Sequence, residues 1–171
     1  MDSPPLAILW HSRTGAAEAM ARAAFEGAGG QGAGGQAAGG RARLLYASAA
    51  EPADLLAAQA YLFACPENLG TMSGTMKDLF DRCYYPLLGQ LEGRAYATLI
   101  AAGSDGTGAQ AQIDRIVTGW RLKRVAEPLI ANLAAQTPEA ICAPKTVPPP
   151  VLARCRDLGA ALAEGLALGV F

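Results

Sequence analysis

Short apolar runs of strand length alternate along this chain with longer segments whose apolar residues recur at helical spacing. Leu6-Ala7-Ile8-Leu9-Trp10 reads as a buried strand, and Arg43–Tyr46, Tyr61–Cys65 and Tyr96–Ala102 repeat that reading. Pro66 reads as the sharp end of the third strand. Val125–Ile130 is a weaker fifth strand, because Pro128 favours an edge or an irregular end. Between them lie helices: one running to about Gly27, one from Pro52 to about Gln59, and one opened by Ser73. In that third helix Met72, Met76, Leu79, Phe80 and Cys83 share a face. A fourth carries Ile113, Ile116, Val117 and Trp120, and a last one Val151, Leu152, Cys155, Leu158, Leu162 and Leu166. Strands that alternate with helices require crossover connections, so the expected class is α/β, with a five-stranded parallel sheet covered on both faces. The 171 residues suit a single domain, 1–171.

Composition removes several function classes. With 51% hydrophobic and 17% charged residues the chain can build a core. Lys plus Arg is 14 against 15 Asp plus Glu, which offers no electrostatic footprint for nucleic acid or a membrane surface. The four cysteines at 65, 83, 142 and 155 form no CxxC pair, and a lone histidine, His11, cannot build a metal site. No apolar run reaches the roughly 18 residues of a membrane span, and Met1–Pro5 lacks a signal-peptide pattern, so a soluble cytoplasmic protein is expected. The stretch 28–40 contains only Ala, Gly and Gln and reads as a low-complexity surface loop. Thr146–Pro150 reads as an extended connector.

In open parallel sheets ligands bind beyond the carboxyl ends of the strands. That rule selects three loops, 11–17, 66–73 and 103–108. The first, His11-Ser12-Arg13-Thr14-Gly15-Ala16-Ala17, leads into a helix whose free amides and neighbouring hydroxyls suit an anion, although capping by Ser12 or Thr14 would explain the same residues. No Walker lysine follows, so a nucleoside triphosphate is not the expected guest. The second loop sets Leu69 and Met72 beside Glu67 and Asn68. It suits a flat apolar partner with a polar rim, or simply covers the core. The third, Gly103-Ser104-Asp105-Gly106-Thr107-Gly108, suits a close backbone approach or a tight turn, and Asp105 suits a helix cap. His11 reads as a structural hydrogen-bonding residue, Trp120 as core, and Asp78, Asp81 and Arg82 as a solvated face. Other tenants of this architecture fail: Trp10-His11-Ser12 offers no Mg²⁺-binding carboxylates, Cys65 is followed six positions later by Thr71 and not by arginine, and no GxSxG elbow occurs.

Ser12-Arg13-Thr14-Gly15 with Glu18-Ala19-Met20, followed by Pro66-x-x-x-Gly70-x-Met72-Ser73-Gly74-x-Met76-Lys77, resembles the flavodoxin-like FMN-binding family. The resemblance points in particular to its NAD(P)H-dependent FMN reductases and WrbA-type NAD(P)H:quinone oxidoreductases. It extends from Ile8 to about Ile130 and is most specific over 66–82. It implies a three-layer doubly wound sheet in the order 2-1-3-4-5. It further implies an FMN phosphate held by Ser12, Arg13, Thr14, Gly15, Ala16 and Ala17. Pro66, Glu67, Asn68, Leu69, Gly70, Thr71 and Met72 would lie along the isoalloxazine, with Gly103, Ser104, Asp105 and Gly106 flanking the ring. NAD(P)H as electron donor, a small-molecule acceptor such as a quinone, and a homodimer or homotetramer belong to the same implication. Ala17 replaces the hydroxyl usual in electron-carrier flavodoxins, and the third loop lacks their stacking aromatic. The missing aromatic and a net charge of only −1 favour a two-electron reductase over a one-electron carrier without NAD(P)H activity. Ala17 shifts phosphate binding onto Arg13 or backbone amides, and the two departures together keep a second alternative, a non-enzymatic domain that has lost the cofactor. No residue is singled out as a catalytic acid or base.

Overall fold

Each of the first four apolar runs lies in one parallel sheet, where side-chain alternation feeds two separate cores. A computed structural model describes residues 6–31 and 41–171. The elements are β1 (Leu6–Trp10), α1 (Ala16–Gly27), β2 (Ala42–Tyr46), α2 (Pro52–Ala57), β3 (Ala60–Asn68), β4 (Thr71–Met72) and α3 (Gly74–Cys83). A 3-10 turn (Tyr85–Leu87) precedes β5 (Ala95–Ala102), α4 (Thr107–Gly119), β6 (Lys123–Arg124), β7 (Leu129–Asn132), α5 (Pro138–Cys142) and α6 (Pro149–Ala167). The sheet runs β2-β1-β3-β5, with β6 and β7 both pairing with the outer side of β5. In the register, Ile8 of β1 lies opposite Leu44 on one side and Leu62 on the other. All of β5 is buried.

One face carries Leu6, Ile8, Leu62 and Leu99 against Met20 and Ala24 of α1 and Leu162 of α6. The opposite face carries Leu9, Phe63 and Ile100 against Leu79 and Phe80 of α3 and Ile113 and Val117 of α4. Two-residue periodicity in the strands and 3.6-residue periodicity in the helices thus meet in three layers. Trp120 is buried against Phe80 and Tyr84, and its indole N–H donates to the Tyr84 carbonyl at 3.0 Å. Among the described residues no helix is long and apolar enough to cross a membrane.

Three local expectations change. Pro66 does not end β3, which runs on to Asn68. The Ala64 carbonyl accepts from the His11 N–H, so Pro66, two residues on, presents its nitrogen to the same side, where β1 has already stopped. A proline there forfeits no ladder bond. The single strand expected over 125–130 is two pieces. Register passes from Tyr96↔Arg124 to Leu99↔Leu129, so three steps on β5 face five on the edge. The surplus chain around Pro128 cannot pair, and the order 2-1-3-4-5 holds with a broken fifth position. Of the Thr146–Pro150 connector, Pro149 and Pro150 form the first turn of α6, where their missing N–H groups are no loss. The low-complexity stretch 28–40 lies outside the described residues beyond Gln31, as do Met1–Pro5.

Helices α1 and α6 pack through glycine. A Cβ on Gly159 would fall inside the Ala24 carbonyl oxygen, and one on Gly27 inside that of Arg156. Gly159→Ala therefore forces the helices apart and should cost about 2 kcal/mol, read as a lower urea midpoint at unchanged m value. A midpoint equal to that of the natural chain would show that this contact yields without strain.

Candidate functional site

The carboxyl ends of β1, β3 and β5 open on one cleft of about 490 Å³, within the range of small-molecule sites. Ser12, Arg13, Thr14, Ala16 and Ala17 line it from the first loop, Pro66, Glu67, Asn68, Leu69 and Gly70 from the second, and Gly103 and Ser104 from the third. Gly15, Thr71, Met72, Asp105 and Gly106, grouped with them in the sequence, stand off the cleft wall and shape it from behind. Gly15 and Gly106 are the residues before α1 and α4, at φ 96° and 97°, a conformation that excludes most side chains. Met72 is buried at the head of the α3 stripe, and its N–H donates to Gln112 Oε1 at 2.8 Å. Thr71 Oγ1 lies 3.0 Å from the carbonyls of both Asn68 and Met72. Asp105 accepts from the Thr107 hydroxyl at 2.7 Å and from the Thr107 N–H only at 3.4 Å, so the capping expected of it falls mainly to Glu67.

The two helix N-termini at this edge differ in one respect. At α4, Glu67 Oε1 accepts from the Gly106 N–H at 2.8 Å and Oε2 from the Ala109 N–H at 3.0 Å. Glu67, expected beside a ligand rim, is thus committed on both oxygens to the helix. At α1 a side chain takes only the amide of the glycine before the helix, and among the described residues none accepts from Ala16, Ala17 or Glu18. Ser12 Oγ accepts from the Gly15 N–H at 3.0 Å, which leaves its proton free, and the amides of the first turn have no intrahelical acceptor. Among the described residues the cleft wall around them carries two cations, Arg13 and Lys145, and one carboxylate, Glu67.

The second loop is a hairpin. Asn68 pairs with Thr71, and both intervening residues have positive φ, 56° at Leu69 and 73° at Gly70. Turns of this kind favour Asn-Gly, yet Leu69 occupies the strained position and is fully exposed. The α4 N-terminus is pressed on this turn: a Cβ on Gly108 would overlap the Gly70 carbonyl oxygen.

Residues 49–131 match the family model described as NADPH-dependent FMN reductase. No curated protein sequence matches the chain. Among solved structures, the WrbA-like flavodoxin of Agrobacterium tumefaciens superimposes with a TM-score of 0.73 at 19% identity, covering 97% of this chain and 99% of that one. A flavodoxin from the domain Archaea gives 0.71 at 15% identity over 95% and 98% of the two chains. Two-electron reduced Megasphaera elsdenii flavodoxin gives 0.65 at 16% over 93% and 98%. The fold is flavodoxin-like.

On the flavodoxin-like frame one wall of the cleft went unseen in the sequence. After β7 the chain runs from Asn132 to Lys145 as a strap across the mouth, and Leu133, Ala135, Ile141, Cys142 and Lys145 face the cleft. The strap lies almost wholly beyond the family-matched segment. Asn132 Nδ2 fastens one end to the Ser104 carbonyl at 2.6 Å, and the Leu133 N–H donates to the Ala102 carbonyl at 2.8 Å. The Lys145 N–H fastens the other end to the Thr14 carbonyl at 2.8 Å. Thr137-Pro138 was the available signal: Thr137 Oγ1 accepts from the Ala140 N–H at 3.2 Å and starts α5.

Beneath the loops, His11 Nδ1 and Ser73 Oγ share a 2.8 Å hydrogen bond that ties the first loop to the head of α3. Burial pushes the Cys65 thiol up to about 12, so it is no nucleophile at neutral pH. Leu69→Asn should relieve the left-handed strain and stabilise the chain by about 1 kcal/mol, while removing an apolar contact from whatever the cleft holds. Thermal unfolding checks the first effect and ligand titration the second. Burial also lowers the His11 pKa below its ordinary 6.5. The unfolded chain then takes up the proton first, so this contribution is complete above about pH 6.5 and declines as pH falls toward the folded value. The fall in melting temperature between about pH 7 and 5.5 should be steeper for the natural chain than for His11→Asn.

Proposed function

We propose that this chain is an FMN-dependent oxidoreductase that takes two electrons from NAD(P)H and passes them to a small flat acceptor such as a quinone. The observation that carries the reading is the α1 N-terminus. Beyond the Ser12 bond to Gly15 its first-turn amides face the cleft without a side-chain acceptor among the described residues, while at its twin α4 Glu67 also takes the Ala109 amide. The family match over 49–131 and the flavodoxin-like fold support the same cofactor.

The residues present fit FMN. The Ser12 and Thr14 hydroxyls, the first-turn amides of α1 and the charges of Arg13 and Lys145 form a donor set for a phosphate dianion. Asn68, Gly70, Gly103 and Ser104 offer backbone and amide groups for the polar rim of a ring system, and Pro66 and Leu69 offer apolar surface beside it. When bound, FMN supplies hydride acceptance and hydride donation. The protein's share is orientation and exclusion of water: the hairpin and the strap residues Leu133 and Ile141 screen the cleft, and the open α1 amides fix the phosphate end.

No aromatic side chain lines the cleft. A cofactor held there keeps a face without a stacked ring, which leaves room for nicotinamide and then for a second flat substrate. This supports a two-electron reductase over an electron carrier. The test is anaerobic mixing of FMN-loaded protein with NADPH, then NADH, while the visible flavin absorption is followed. Direct bleaching to the two-electron level is the expected result. Bound flavin that neither nucleotide reduces would make the chain a carrier fed by another reductase, and failure to retain flavin would overturn the proposal altogether.

A further inference from the structure

Resting on that reading, we propose that Lys145 is the residue that makes the site select the phosphorylated form of the flavin, its charge delivered to the phosphate end by the chain's own strap. Two observations place it there. Its N–H donates to the carbonyl of Thr14, the residue just before the glycine that opens α1, so the backbone of Lys145 is fastened beside the open helix N-terminus. The residue lines the same cleft as Ser12, Arg13 and Thr14.

The charge is also held in position. Lys145 Nζ donates to the carbonyls of Ile141 at 2.9 Å and Ala143 at 2.6 Å. An ammonium has three protons, so one remains for a ligand. Both partners are neutral, and among the described residues Lys145 takes part in no ion pair. Arg13 reaches the same cleft but is exposed and has no hydrogen bond holding its guanidinium among the described residues. A cation already fixed by the protein loses less freedom on binding than a mobile one, so Lys145 discriminates more strongly for a dianion. The geometry assigns it a positioning and specificity role, with no part in electron transfer.

Phosphate recognition separates from ring recognition in a comparison of FMN with riboflavin, which lacks only the phosphate. Dissociation constants for both ligands, from quenching of flavin fluorescence, are compared for the natural chain, Lys145→Gln and Lys145→Arg. Lys145→Gln should raise the FMN constant roughly 10- to 100-fold and leave the riboflavin constant within about twofold, because only the phosphate meets the charge. Lys145→Arg should recover most of the loss. The salt dependence of FMN binding should be shallower in Lys145→Gln than in the natural chain. An equal loss for both ligands would reduce Lys145 to a strap fastener, and an unchanged FMN constant would remove it from the phosphate site. Either result overturns this proposal and leaves the flavin reading intact. A natural chain that holds neither ligand overturns both.

Discussion

Two helices begin at the same edge of the sheet behind glycines held at positive φ, and among the described residues only at α4 does a side chain reach past the glycine to a first-turn amide. The N-terminus of α4 is closed by Glu67, whose two oxygens take the Gly106 and Ala109 amides. A carboxylate on a helix N-terminus contributes on the order of 1 kcal/mol, but its geometric effect is larger than its energy. Glu67 stands on β3 just before the Leu69-Gly70 turn, so the same bond that closes the helix fixes the second loop against the third. Gly108, with no room for a Cβ under the Gly70 carbonyl, seals that contact. Loops two and three thereby form one braced wall. The first-turn amides of α1 have no side-chain acceptor among the described residues.

The sequence disclosed what depends on near neighbours. Leu6–Trp10 and Tyr96–Ala102 declare themselves as strands because a parallel sheet buries both faces, and an uninterrupted apolar run has no other use at that length. Asp105 stays with a near neighbour, bonding the Thr107 hydroxyl two residues away. Glu67 was not legible as a cap, since its partners are 39 and 42 residues further on and nothing local distinguishes a carboxylate bound to a helix from one facing a ligand. Proline misled twice for the same reason. Pro66 and the pair Pro149-Pro150 look like breaks, yet whether a missing N–H matters depends on what lies opposite it. Beside Pro66 the neighbouring strand has ended, and in the first turn of α6 the N–H groups would have no intrahelical partner. The split of β6 and β7 around Pro128 is the case where the local signal and the ladder agree.

The strap shows the limit of loop-by-loop reading. Thr137-Pro138 specifies a helix start, and α5 forms there. That local signal does not say which surface the short helix will cover. Its placement is set at its ends, by Asn132 on the Ser104 carbonyl and Lys145 on the Thr14 carbonyl. These two bonds join the third loop to the first, so the chain closes around the cleft with its own backbone. The topology rule for open sheets therefore found the three loops that begin at strand ends and missed the segment that bridges two of them.

Cationic groups in the cleft come from the first loop and the strap end fastened to it, Arg13 and Lys145, while the second and third loops set Leu69 and Pro66 beside Asn68 and Ser104. A ligand with an anionic tail and a flat apolar head can enter such a site in one orientation without stranding a charge on hydrocarbon. Leu69 fits that account and little else within the fold. A branched side chain at φ 56° carries backbone strain, and one that is fully exposed recovers none of it through burial in its own core. The turn itself holds it there, pinned by the Asn68–Thr71 pair and by Gly108 packed against the Gly70 carbonyl, so the strain is borne by the wall of the cleft.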